Sequence, residues 1–321
     1  MKKLLSCLLL ASFLFAAGCQ KKTDEQSGEE ELQGTITISG AWALYPMTVK
    51  WAEQFCRIYP KVKIDVAAGG AGKGMADCLA EVADIGMVSR DIYPAEIEKG
   101  AWWVSVTKDA VVPTVNENNP MLKELLSGGV NREKFIDIWI TGKAKSWGDV
   151  CGVAAAPKIH VYTRSDACGA AETWARFLGK KQEDLLGVGV YGDPGLAEAV
   201  LKDDLGIGFN NINYAYDART KEQIKGIRVL PIDLNNNGVI DPGEDFYKTR
   251  DEITQAIAAG TYPSPPARDL HFVFHGKPKK RAVVEFVKWV LTDGQQYVCE
   301  AGYINLAENK INEELGKLKN Q

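Results

Sequence analysis

An α/β fold built as two lobes is what this chain of 321 residues predicts, on three observations. From Gly34 onward, short apolar runs alternate with longer stretches of helical periodicity, the pattern of βα units with largely parallel strands. The length suits about two domains or one two-lobed one. Two extended apolar stretches, at 104–115 and 270–274, lie far apart in the chain, as segments crossing between lobes would.

The elements follow in order. Residues 35–39 alternate Thr and Ile and read as a strand. Residues 47–59 carry apolar side chains at helical spacing, and 62–67 form a second strand. A glycine-rich turn at 69–74 opens a helix to about Ala83, and 84–88 is a short strand. Helical patterns at 121–129 and 132–141 follow the first crossing stretch. Residues 158–163, 185–191 and 206–209 read as strands, with helices near 173–178 and 196–203. Residues 250–259 read as a helix and 280–291 as an amphipathic helix, and the charged segment 309–321 is helix-prone and expected to be solvated. The predicted lobes are 34–112 with 271–309, and 113–270.

The first residues are a leader rather than fold. Lys2 and Lys3 precede an apolar run to Ala17, the layout of a secretory signal over residues 1–18. Gly18-Cys19 resembles a bacterial lipoprotein cleavage site, with Cys19 as the acylated residue and 19–33 as a polar tether to the bilayer. The expected location is the cell envelope, on the periplasmic or exterior face. With Cys7 in the leader and Cys19 lipidated, Cys56, Cys78, Cys151, Cys168 and Cys299 remain, an odd count that leaves at least one thiol outside any internal pairing.

Composition narrows the function. A formal net charge of −4 gives no basic footprint for nucleic acid. His271 and His275 on one strand lack a third zinc ligand and read as structural or surface residues. The most informative stretch is Arg164 to Thr173, where a strand runs into small residues at a helix start. Free amides and the positive helix end favour an anion there, and Arg164 adds forked, charge-assisted donors.

Five stretches in order carry a resemblance. They are Ile38 to Pro46, Ala83 to Arg90, Ile140 to Lys143 with Trp147 to Val150, Arg164 to Thr173, and Gly206 to Phe209 with Tyr214 to Tyr216. Together they resemble the substrate-binding proteins of bacterial ABC phosphate importers, over nearly all of residues 35–306. The resemblance implies a type II periplasmic-binding-protein fold, no catalysis, phosphate or a related oxyanion in the inter-lobe cleft, and a membrane permease as partner. It places Ala41, Trp42, Ala43, Gly72, Lys73, Ser89, Arg164, Cys168, Gly169 and Ala170 at the anion. Arg164 would be the main countercharge, and the backbone N–H groups of Trp42, Ala43, Gly169 and Ala170 would donate. Ala43, Cys168 and Ala170 depart from the family pattern, because hydroxyl residues usually stand there; Ala71 and Lys73 interrupt the family's glycine-rich loop.

A separate motif concerns a metal. Asp233 to Glu244 matches the twelve-residue EF-hand loop, with side-chain ligands Asp233, Asn235, Asn237 and Asp241, the Val239 carbonyl, and a bidentate Glu244. Gly238 stands where the loop turns sharply. The expectation is a structural Ca²⁺ on an insertion in the second lobe. The competing functions are a non-transport sensor or interaction module that kept the frame and lost the ligand, and a calcium-dependent phosphohydrolase. The latter has no evident nucleophile with a base beside it.

Overall fold

The computed structural model describes residues 31–319. The first lobe opens with β1 (Gly34–Gly40), α1 (Tyr45–Ile58), β2 (Val62–Ala68), α2 (Ala71–Leu79) and β3 (Ile85–Val88), followed by a short α3 (Pro94–Glu98). The sixteen-residue β4 (Ala101–Asn116) leads into the second lobe. There follow α4 (Leu122–Gly128), α5 (Arg132–Trp139), α6 (Trp147–Cys151), β5 (His160–Arg164), α7 (Gly169–Phe177), β6 (Val188–Val190), α8 (Gly192–Leu201), β7 (Gly206–Asn211), β8 (Ile227–Val229) and α9 (Arg250–Ala259). The chain returns through β9 (Ala267–His275) to α10 (Arg281–Leu291) and α11 (Glu308–Lys319).

The strands lie in the order β2-β1-β3-β9-β4-β7-β5-β6, with β8 also on β4. Pairs within βα units are parallel, β1 with β2 and β3, and β5 with β6 and β7. The crossing strands β4 and β9 are antiparallel to each other and to their neighbours, which makes the sheet mixed, as expected of the type II fold. Two apolar cores flank the crossing. One gathers Ile36, Trp51, Phe55, Val106, Leu270 and Phe286; the other gathers Ala110, Phe135, Trp139, Trp174, Phe209 and Ala267. Along β4 the changeover falls between Val106 and Ala110, and along β9 between Ala267 and Leu270. The two extended stretches pair as one two-stranded ribbon with a register shift between Ser105 and Thr107.

Three expectations need correction. Leu32, placed in the tether, is buried in the first core, so the fold begins before Gly34. The charged tail is not solvated along its length: α11 seals Leu318 into that core, and the buried Glu314 is held by Lys310 and Lys317. The helix after the glycine-rich turn stops at Leu79 rather than Ala83, because Glu81 takes a left-handed φ of 56°. All five cysteines among the described residues are unpaired. The leader and Cys19 lie outside the described residues.

His271 is buried against the Ser105 hydroxyl (3.2 Å), and burial pushes its pKa down to about 4. His275 instead is exposed beside Glu81. Among the described residues neither belongs to a group of three or more metal-ligating side chains.

Candidate functional site

The first lobe brings three loops to the cleft at the C-terminal ends of β1, β2 and β3. The turn after β1 is anchored by its own helix. Trp51 of α1 donates to the Gly294 carbonyl at 2.8 Å and packs edge-on against Phe272. The Tyr303 hydroxyl donates to the Ala43 carbonyl at 2.7 Å. Ala41 and Ala43 are buried, and the Trp42 and Ala43 amides have no partner within the protein among the described residues, leaving two N–H groups at the positive start of α1. Ser89 is buried directly after β3.

Lys73 points elsewhere. Its ammonium pairs with Asp77 and donates to the Ser39 hydroxyl at 2.9 Å, and its side chain is 48% exposed. Its charge is thus used within the first lobe.

The second lobe presents the Arg164 loop between β5 and α7. The helix starts at Gly169, four residues earlier than the sequence reading, so Cys168 becomes its N-cap. The Cys168 sulfur accepts the Ala171 amide at 3.4 Å, while among the described residues the Gly169 and Ala170 amides have no partner. Cys168 thus stands in for a capping serine. Burial first, then Asp193 and Asp166, push its pKa up to about 12, so it remains a thiol. Trp174 locks α7 in place, with ring centroids 5.1 Å from Phe135 and 5.4 Å from Trp139.

Arg164 itself is already paired. Its Nε and Nη2 donate to the two Asp166 oxygens at 2.8 and 2.6 Å, and its Nη1 donates to Asp193 Oδ2 at 2.7 Å. Its side chain is fully buried. Burial opposes the charge, but the carboxylates, Asp193 foremost, outweigh it and hold the guanidinium above its ordinary pKa.

The chain of contacts continues away from the cleft. The second Asp193 oxygen accepts from the Asn211 amide, Asn211 accepts from Arg268, and Arg268 lies 3.5 Å from Asp109. Asp109 and Arg268 are directly opposite on the two crossing strands. Burial raises the Asp109 pKa to about 6 against the pull of Arg268. Asp193 is the functional candidate that the sequence reading missed. Its signal was there: Gly192-Asp193-Pro194-Gly195 is a helix-start pattern, and α8 begins at Gly192 rather than at Leu196.

The two lobes touch. The Gly72 amide donates to the Ala167 carbonyl at 3.1 Å, the Tyr214 hydroxyl donates to the Trp42 carbonyl at 3.3 Å, and Arg176 pairs with Asp91 at 2.6 Å. Gly169 lies so close to Ser89 that a Cβ there would sit 2.1 Å from the Ser89 carbonyl oxygen. Glycine is required at that position by the closeness of the opposite lobe. Gly72 and Ser89 of the first lobe thus approach Ala167 and Gly169 of the second, and Trp42 meets Tyr214. A cavity of about 580 Å³ has Arg90, Lys108, Thr173, Arg176 and Arg268 in its lining.

The 233–244 loop joins β8 to α9 and rests on residues 127–130, where the Ser127 carbonyl accepts the Ile240 amide at 3.0 Å. Gly238, at φ 77°, makes the sharp turn. Asp233 accepts the amides of Asn237 and Gly238; Glu244 accepts those of Leu234, Asn235 and Asp241. Asn235 and Asn237 donate to Asp241 at 2.8 and 2.9 Å. Asp233 and Glu244 are only 3% and 6% exposed, and among the described residues no Lys, Arg or His pairs with either. No three His, Cys, Asp or Glu side chains among those residues converge into a ready-made metal cage.

Comparison with known proteins decides the family. The model of the PBP superfamily domain matches residues 25–294. This chain belongs to the PBP superfamily. Among PBP relatives, the phosphate-binding protein PstS of Staphylococcus epidermidis is 24% identical over 99% of this chain and 94% of its own length. The PstS of Methanocaldococcus jannaschii is also 24% identical, over 95% and 92%. A putative phosphate ABC transporter substrate-binding protein from Clostridium perfringens, solved with bound phosphate, superposes with a TM-score of 0.70 at 22% identity, covering 85% of this chain and all of the other. A phosphate transport receptor from Vibrio cholerae gives 0.61 at 19%, covering 84% and 100%. These likenesses fix the type II binding-protein fold. Among the described residues no helix is long and apolar enough to cross a membrane.

Proposed function

We propose that this PBP binds phosphate or a related oxyanion in the inter-lobe cleft and hands it to the permease of an ABC importer, tethered outside the cytoplasm through acylated Cys19. One observation carries the reading. Two helix starts, at Trp42-Ala43 and Gly169-Ala170, lie at the cleft with amides that have no partner among the described residues, beside the buried Ser89 and Arg164. Several fixed donors are what a dehydrated oxyanion needs in place of water. The names of the PstS relatives point the same way. Isothermal titration with phosphate, sulfate, molybdate and tungstate tests it: one saturable site is expected, and no heat with any of them would end the reading. Cys19→Ser should release the protein from membranes into the soluble fraction; continued membrane association would refute the anchor.

The alternative of a frame that has lost its ligand draws on the direct Gly72–Ala167 contact and on an Arg164 already paired with two carboxylates. The same titration separates the two. The 233–244 loop adds a second element to the proposal, a structural Ca²⁺. Its support is the pair of buried carboxylates, Asp233 and Glu244, facing only amides, since buried charges are normally paired or bound to metal. Calcium titration followed by calorimetry tests this part, and the absence of binding at millimolar calcium would refute it.

A further inference from the structure

We propose that a basic face of the first lobe lies against an anionic phospholipid bilayer and turns the cleft away from it; its setting rests on the acylated tether of the reading above. The face is built by the loop between β9 and α10, the start of α10 and the end of α11. Lys277, Lys279, Arg281, Lys288 and Lys319 line one cavity of about 640 Å³ there. Among the described residues Glu285 is the one carboxylate in that lining, and Lys288 pairs with it at 2.9 Å. Five cations against one carboxylate leave a formal surplus of four, in a chain whose net charge is −4. Lys280, beside them, is matched by Asp84 at 3.0 Å. The rest of the chain is therefore acidic, and an anionic surface attracts this face while repelling the others.

Local structure works against these cations. Lys280 is the N-cap of α10 and makes no side-chain cap; Arg281 is its first residue, and its first turn holds no Asp or Glu. By contrast α5, α6, α7, α8 and α9 each carry an acidic residue in the first turn. Positive charge at the positive end of a helix is unfavourable. Lys279, Lys280 and Arg281 stand there in a row, all exposed. An anionic partner outside the fold offsets that cost.

The position of the face names the partner. A Cβ on Gly34, the first residue of β1, would lie 3.8 Å from the Ala282 Cβ of α10. Leu32 shares a core with Ala282 and Leu318. The chain thus enters the fold beside the basic face. Residues 20–31 separate Cys19 from Leu32, a span of about 40 Å at full stretch and about 20 Å when relaxed. A bilayer holding an acylated Cys19 is within reach of the face. The cleft loops leave β1 at its other end, after Gly40, about 20 Å away by strand rise. The face also belongs to one lobe alone, so its contact leaves closure free. Glu29, Glu30 and Glu31 precede Leu32 in sequence and are the competing anions for the same face.

The test is sedimentation with vesicles of phosphatidylcholine, with and without about a third of phosphatidylglycerol. The apolar leader would itself enter lipid, so the chain used is 20–321, which keeps both cores. Binding is expected to the anionic vesicles alone at low salt, and a fall of tenfold or more at physiological salt. The face therefore orients a chain that acylation holds, and Cys19→Ser still releases it. A basic side chain near an anionic leaflet is worth about fivefold, so Lys279→Gln with Arg281→Gln should weaken binding about twentyfold. The melting temperature should stay or rise slightly, because the two cations oppose the helix dipole. Lys180→Gln with Lys181→Gln removes the same charge from the second lobe and should bind as the wild type does. No binding to anionic vesicles would overturn the proposal, as would equal losses in the two double variants. So would binding that appears only after Glu29, Glu30 and Glu31 are changed to Gln, since the tether would then be the occupant. Membrane retention of the full chain, tested by Cys19→Ser, decides the anchor separately.

Discussion

The Arg164 loop and the 233–244 loop both bury two carboxylates, and they compensate them in opposite ways. In the cleft, Asp166 and Asp193 close on a guanidinium that is itself out of solvent. In the other loop, Asp233 and Glu244 are met by backbone amides alone. The difference lies in where the compensation comes from. The cleft network draws on β4, β5, α8 and β9, so it belongs to the tertiary fold. The other loop supplies every donor from within twelve residues, so it is a local device that can be added to a lobe without redesigning it.

Four experiments sharpen or break that contrast. The largest effect is expected from Arg164→Met, which strands two buried carboxylates and should cost about 3–5 kcal/mol in urea unfolding. Adding Asp193→Asn to it should restore part of the loss; equal stability of the two chains would show that Asp193 carries little charge. Next, calcium at a hundred times its dissociation constant should stabilise the wild type by about 2.7 kcal/mol, and Asp233→Ala should abolish the gain in a thermal melt. A loop already complete through its own amides would show no gain in either chain.

The third effect is a pH dependence from Asp109. Its folded pKa of about 6 lies above the ordinary carboxylate value, so the folded state binds its proton more tightly. Stability should therefore rise as pH falls through 6 towards 4, by an amount on the order of 2 kcal/mol. Asp109→Asn should flatten that part of the curve. The smallest effect is Cys168→Ser. A hydroxyl caps a helix better than a thiol, so a gain of up to about 1 kcal/mol is expected with little change in anion affinity. A large affinity gain would mean that the position reaches the ligand as well as the helix.

Much of this contrast was legible beforehand, for identifiable reasons. The EF-hand-like spacing is a local property, and local spacing survives in a sequence. The alternation of strand and helix, and the two crossing stretches, likewise follow from periodicity. Arg164 was readable because it ends a strand before small residues. Its partner Asp193 was not: 29 residues separate them, and only the parallel packing of β5 beside β6 and α8 makes them neighbours. The partner of Lys73 is local, Asp77 one helical turn away, a pairing that the family resemblance does not indicate. The burial of Leu32 and Leu318 depends on what lies beneath them, which polarity along the chain does not reveal.

The return of the chain through β9 also fixes an order of assembly. The second core is drawn almost wholly from residues 110–267, one unbroken run. The first core is split: β9 must slot between β3 and β4 before that sheet is continuous, and α10 and α11 must then cover it. A chain emerging from its N-terminus therefore holds a nearly complete second lobe while the first still has an open gap. Loss of the C-terminal segment would injure the lobe that was begun first and spare the one begun later.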